Sequence, residues 1–160
     1  MPDQITIAVF DRTIEKFKEV LLQEGLEASK CRDALKTLNE LIHNQETADQ
    51  MIDNDIIAIT SALMRHRDQE VREQAALLIG QFSIHNRAQP HLMEYTFKNL
   101  KEILEDSVQE VRDAAALVYL RLSVTAAGCE CIRDTMSAES MVFSFIKHSS
   151  QDGLSIEKGK

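Results

Sequence analysis

The side chains with the most chemical potential in this chain are few. Cys129 and Cys131 stand one residue apart in "CEC", and His148 is the nearest downstream histidine. Tetrahedral zinc sites take cysteine pairs separated by two or more residues, with a second pair elsewhere. That pattern is not met, so the expectation is no metal and a buried thiol at a helix start. His43, His66, His85 and His91 fall near expected helix ends and turns. None has a Ser or Cys nucleophile at a spacing that would build a catalytic pair. The 5 glycines are scattered, so no phosphate-cradling loop is present. No catalytic residue, no cofactor and no cofactor-binding residue is expected.

Charge offers a second kind of chemistry. Arg32, Arg72 and Arg112 recur at a spacing of 40 residues. They read either as a phosphate-binding row or as ion pairs joining neighbouring structural units. The chain holds 18 Lys plus Arg against 26 Asp plus Glu, a net charge of -8. So acidic a chain is a poor anion trap, which favours the structural reading. The same balance argues against nucleic acid and anionic membrane as partners. No stretch approaches the ~18 uninterrupted apolar residues of a membrane span. The start "MPDQITIAVFDR" lacks the basic region of a secretory signal, and three cysteines suit a reducing cytoplasm.

The elements that position these residues are legible from a repeat. "QEVREQAALLIGQFS" at 69–83 returns as "QEVRDAAALVYLRLS" at 109–123, and a fainter copy begins at Cys31 as "CRDALKTLNELIH". A period near 40 residues marks helical solenoids of the armadillo and HEAT type. Upstream of each copy lies a shorter amphipathic segment, from Thr13, Asp55 and Thr96, with Phe17, Ile57 and Phe97 in equivalent places. Val111, Ala115, Val118 and Leu122 form one stripe on a 3.6-residue helix. Asp68 is expected to cap one long helix, and Asp106 or Ser107 the next. The linkers 45–55, 86–95 and 126–135 each suggest a small extra helix, Pro90 starting one of them. Three helices per unit fit armadillo, while the "EVR..A" opening is shared with HEAT.

The expected fold is therefore all-α, a right-handed α-solenoid of about three and a half armadillo/HEAT-like repeats. Residues 1–12 form an N-terminal segment. Units span about 13–55, 56–95 and 96–135, with a partial unit at 136–147 and a polar, flexible tail at 148–160. The partial unit carries Met141, Val142, Phe143, Phe145 and Ile146 with no long helix after it. That end is expected to pack on a partner, a second copy or further sequence.

Two phrases carry a resemblance. "LRLSVTAAGCECIRDTMSAESMV" at 120–142 and "LIHNQETADQMIDNDII" at 41–57 resemble the inter-repeat segments of the radial spoke head 14 family of armadillo-repeat proteins. The resemblance covers most of 14–146, although that family carries several further repeats. It implies a non-enzymatic radial-spoke component of the ciliary or flagellar axoneme, part of the cytoskeleton, with other spoke or axonemal proteins as partners.

The long helices of a solenoid line its concave face. Three positions per helix, four residues apart, should point there: Asp33, Thr37 and Leu41; Glu73, Leu77 and Gln81; Asp113, Leu117 and Arg121. The result is an acidic rail, a mostly apolar middle and a mixed far rail, suited to a segment carrying basic and apolar residues. The competing expectation is that Leu77 and Leu117 fill the core between repeats. Nuclear-import armadillo proteins place Trp and Asn at such positions, and this chain has neither there. The expected function is a protein-binding scaffold. The alternatives are a cytosolic adaptor for a basic or amphipathic peptide, or a regulatory subunit of an enzyme complex.

Overall fold

A computed structural model describes residues 4–125, 128–130 and 133, with side chains described from Arg12 onward. The chain runs through α1 (Gln4–Leu22), α2 (Ala28–Leu41), α3 (Gln45–Asp53), α4 (Ile56–Leu63) and α5 (Gln69–Phe82). After a 3-10 turn at Asn86–Ala88 come α6 (Gln89–Tyr95) and a second 3-10 turn at Phe97–Asn99. Then follow α7 (Leu100–Leu104) and α8 (Gln109–Ser123). No strand occurs among the described residues. The long helices α2, α5 and α8 stack in a row, and α4 and α7 each pack against the long helix that follows. This is an all-α solenoid.

The 40-residue period has a direct packing meaning. Four equivalent positions, in or just past the end of the three long helices, face the core. They are Cys31, Val71 and Val111; Leu35, Ala75 and Ala115; Leu38, Leu78 and Val118; Ile42, Phe82 and Leu122. All twelve side chains are buried. Size is traded along a helix: the small Ala75 allows close approach where the large Phe82, one turn-pair away, fills space. Each large aliphatic or aromatic side chain so buried contributes roughly 1.5–3 kcal/mol. Ile57 and Phe97 are buried at equivalent places on the shorter helices, and Phe17 packs at the core edge.

Helix boundaries follow local chemistry. Asp68 caps α5, its Oδ1 accepting the Val71 N–H at 3.1 Å, and Asn44 does the same for α3 through the Thr47 N–H. Helix α8 departs from expectation. Its N-cap is Val108, with no side-chain cap. Asp106 sits too early in the turn and accepts the Val108 N–H at 2.9 Å, while Ser107 makes no capping bond. Helix α1 starts at Gln4 and runs through the boundary expected at residue 12, because no Gly or Pro interrupts the sequence up to Leu22. The small helices at 45–55 and 86–95 are present as α3 and α6, the latter with Pro90 in its first turn. The third small helix, the partial unit 136–147 and the tail lie mostly or wholly outside the described residues.

Two backbone features fix corners between helices. Asp55, at the α3–α4 junction, takes a left-handed φ of 61° and pairs with Lys18 of α1 at 3.1 Å. Gly128 lies so close to the Leu122 carbonyl that a Cβ there would overlap it, and its N–H donates to Thr125 Oγ1 at 3.0 Å.

Two of the three arginines in the row join units, as charge balance suggested, and the third does not. Arg32 pairs with Glu70 across the α2–α5 seam. Arg72 grips Asp106 with two bonds, Nε to Oδ2 at 2.9 Å and Nη2 to Oδ1 at 3.3 Å. Its Nη1 also donates to the His66 and Arg67 carbonyls. Arg112 turns to its own entry turn, donating to the Asp106 carbonyl at 2.7 Å and to Gln109. A further seam is held by Arg87, which bridges Asp49 at 2.9 Å and Asp53 at 2.8 Å.

Candidate functional site

A groove of about 290 Å³ lies between α5 and α8. Its floor is Leu77, Gly80, Ala114 and Leu117; Glu110 and Asp113 stand toward the start of α8, and Gln81 and Arg121 toward the far end. Leu77 and Leu117 remain 42% and 39% exposed, so they do not fill the inter-repeat core. The core positions of both helices are already occupied by the four buried residues described above, which leaves these leucines on the outer face.

Gly80 keeps the floor of the groove free of a side chain at this position. Its equivalents one unit away are Glu40 and Leu120, both exposed. With no side chain at position 80, the α8 side chains lean over the α5 backbone. A Cβ on Gly80 would meet Leu117 Cδ2 at 3.9 Å, an ordinary contact. Arg121 enters the same gap, donating from Nη1 to the Gly80 carbonyl and to Ser83 Oγ at 2.9 Å. That carbonyl belongs to the last turn of α5, where helix groups lack intrahelical partners and carry partial negative charge.

The electrostatics run from one end to the other. Glu110 and Asp113 are exposed. Asp113 accepts one bond on Oδ1, from Gln109 at 2.7 Å. The two formal charges exceed the roughly half positive charge of a helix N-terminus, so this end is net negative. At the far end Arg121 supplies one positive charge against the partial negative ends of α5 and α8, and the sum is close to neutral.

Of the nine positions expected on the concave face, five line this groove: Leu77, Gln81, Asp113, Leu117 and Arg121. The other four do not. Glu73 is half-buried on α5. On α2, Asp33 is exposed, Thr37 donates to the Asp33 carbonyl at 3.1 Å, and Leu41 packs against the core. Between α2 and α5, Asn39 bonds across the seam to the Gln74 carbonyl at 3.1 Å. Gly80, Glu110 and Ala114 were not singled out from sequence. The signal for Gly80 was present, a lone glycine where the repeat has Glu40 and Leu120.

A second depression of about 450 Å³ lies between α4 and the α6–α7 segment, lined by Ser61, Arg65, Tyr95 and Asn99 among others. Arg65 is already paired with Glu102 at 3.2 Å, and Ser61 Oγ is bonded to Thr96 Oγ1 at 2.6 Å.

Among the described residues no group of three or more His, Cys, Asp or Glu side chains could hold a metal ion. Cys131 and His148 lie outside those residues. Cys129 is exposed, its thiol against the Ser123 carbonyl, whereas Cys31 is buried in the core. Burial, helped by the Asp68 carboxylate, pushes the Cys31 thiol up from its ordinary value. Among the described residues no helix is long and apolar enough to cross a membrane.

No protein-family model and no curated protein sequence matches the chain. Solved structures do. An engineered protein superposes with a TM-score of 0.69 at 19% identity, over 77% of this chain and 51% of that one. A designed armadillo repeat protein gives 0.69 at 16% identity, over 76% and 52%. Another, solved with the peptide (KR)4, gives 0.66 at 12% identity, over 84% and 66%. This chain spans between 30% and 59% of the length of the engineered proteins it matches. At these identities the likeness concerns architecture, and the architecture is that of an armadillo-type repeat solenoid.

Proposed function

We propose that this chain is a non-enzymatic scaffold that binds a segment of another protein in the groove between α5 and α8. One observation carries the reading: Leu77 and Leu117 stand exposed over a glycine floor, next to the carboxylates Glu110 and Asp113. Apolar side chains held out of the core beside unpaired charge are the recognition elements of a helix-groove or extended-peptide site. The fold supports it, since a designed armadillo repeat protein is solved with a basic peptide, (KR)4. The partner is a basic or amphipathic segment, bound through the acidic end and the leucines. A cytosolic adaptor and a regulatory subunit of an enzyme complex would both use the site in this way.

The cellular context is proposed from sequence resemblance alone. The phrases at 120–142 and 41–57 resemble radial spoke head 14, which makes a radial-spoke component of the ciliary axoneme the first setting to test. The designed structural relatives carry no cellular address. The experiment is affinity purification with mass spectrometry from ciliated and non-ciliated cells, run with the natural chain and with Asp113→Lys and Glu110→Lys. Partners recovered only from ciliated cells, and lost on charge reversal, support both parts. Partners retained by both charge-reversed proteins would rule out the groove as their site.

A further inference from the structure

The structure assigns the groove a specific ligand chemistry: one aliphatic anchor side chain, with one Lys or Arg two to three residues away on one side and uncharged peptide on the other. This rests on the reading of the groove as a peptide site and narrows it.

The anchor follows from the floor. Leu77, Gly80, Ala114 and Leu117 offer no hydrogen-bonding side chain and no aromatic ring on which a guanidinium or ammonium could stack. A long basic side chain would gain little there, whereas a Leu, Ile or Met side chain would cover both exposed leucines and reach the Gly80 backbone.

The single charge follows from arithmetic along α8. Asp113 and Glu110 precede Leu117 by four and seven residues. At about 1.5 Å rise per residue that places them roughly 6 and 10 Å from the anchor along the helix axis. An extended peptide covers about 3.3 Å per residue, so a basic residue two or three positions from the anchor reaches them. In the other direction lies Arg121. Its charge is set against the last-turn carbonyl of Gly80 and the ends of two helices, so that end is near neutral. A ligand carboxylate gains little there, and a ligand lysine finds no counter-charge to offset its lost hydration. Gln81 and the guanidinium N–H groups not turned to Gly80 suit main-chain carbonyls instead. The groove thereby disfavours uniformly basic peptides, which would leave one cation without a partner at the near-neutral end and another on the leucines.

The test is selection from a displayed library of random twelve-residue peptides. It is panned on the natural chain and counter-selected on two proteins with altered grooves, Leu117→Glu and Gly80→Ala. The second keeps the test valid if the first folds poorly. The expected enriched peptides share an aliphatic residue with a Lys or Arg two or three positions away. Replacing that aliphatic residue by Ala in a synthetic copy should weaken binding by about tenfold or more. Adding a second basic residue on the opposite side should weaken it further. Enrichment of all-basic peptides with no aliphatic anchor would overturn this inference and leave the peptide-site reading standing. Absence of any peptide that prefers the natural chain over both altered grooves would overturn both.

Discussion

Arg121 of α8 donates to the backbone carbonyl of Gly80 on α5, forty-one residues earlier, and steadies itself on Ser83 Oγ. One side chain thus closes the last turn of a neighbouring helix and forms one end of the groove. Removing it leaves a part-buried carbonyl without its charged donor. Arg121→Ala should cost about 1–2 kcal/mol, below the full value of a buried charged hydrogen bond because the guanidinium is half exposed. Urea titration of both proteins measures this, and a midpoint unchanged from the natural chain would show the clamp to be idle.

Gly80 offers the opposite sign. Glycine inside a helix is less favourable than alanine by roughly 0.5–1 kcal/mol, and the added methyl would meet only Leu117 at an ordinary distance. Gly80→Ala should therefore raise stability by about that amount while making the groove shallower. Thermal unfolding and peptide binding measured on the same protein should move in opposite directions.

The seams make a graded comparison. Arg72 and Asp106 are 16% and 14% exposed and bond through two contacts, so breaking the pair from either side should cost about 2–3 kcal/mol. A double-mutant cycle on Arg72→Ala and Asp106→Ala should return a coupling above about 1 kcal/mol. Arg87, open to solvent, should show no measurable loss when replaced by Ala. Equal effects at both seams would contradict the role given to burial here.

Cys31 makes stability depend on alkaline pH. Its thiol is pushed up by burial and then by Asp68, so folding favours the neutral form. The contribution is complete below the ordinary thiol value of 9.0 and is lost as pH rises through the higher folded value. Above pH 9.0 the natural chain should lose stability faster than Cys31→Val. Parallel curves for the two proteins would refute the assignment.

Much of this architecture was legible before any coordinates. The stripe Val111, Ala115, Val118 and Leu122 is buried throughout, and Asp68 caps its helix. The reason is that apolar spacing and cap chemistry are local properties, and the apolar spacing is repeated at 40 residues while the Asp68 cap is not. The site was less legible. Five of nine expected positions meet in one groove, because a groove needs two neighbouring helices and the positions on α2 and Glu73 on α5 do not line the α5–α8 gap. From its place in the turn, Asp106 is, with Ser107, an expected cap. Its real partner, Arg72, lies thirty-four residues away, and sequence order gives no hint of that distance.

The missing side chain at position 80 has one more consequence. Repeat proteins usually acquire a binding site by adding distinctive residues to a uniform scaffold. Here the site exists by omission, so its inheritance hangs on a single codon. A Leu or Glu there, as at the equivalent positions, would project toward Leu117 and fill the cavity in one step, whereas an Ala would only make it shallower and leave the helix better formed. Such a site can be switched off in a lineage without leaving a damaged protein behind.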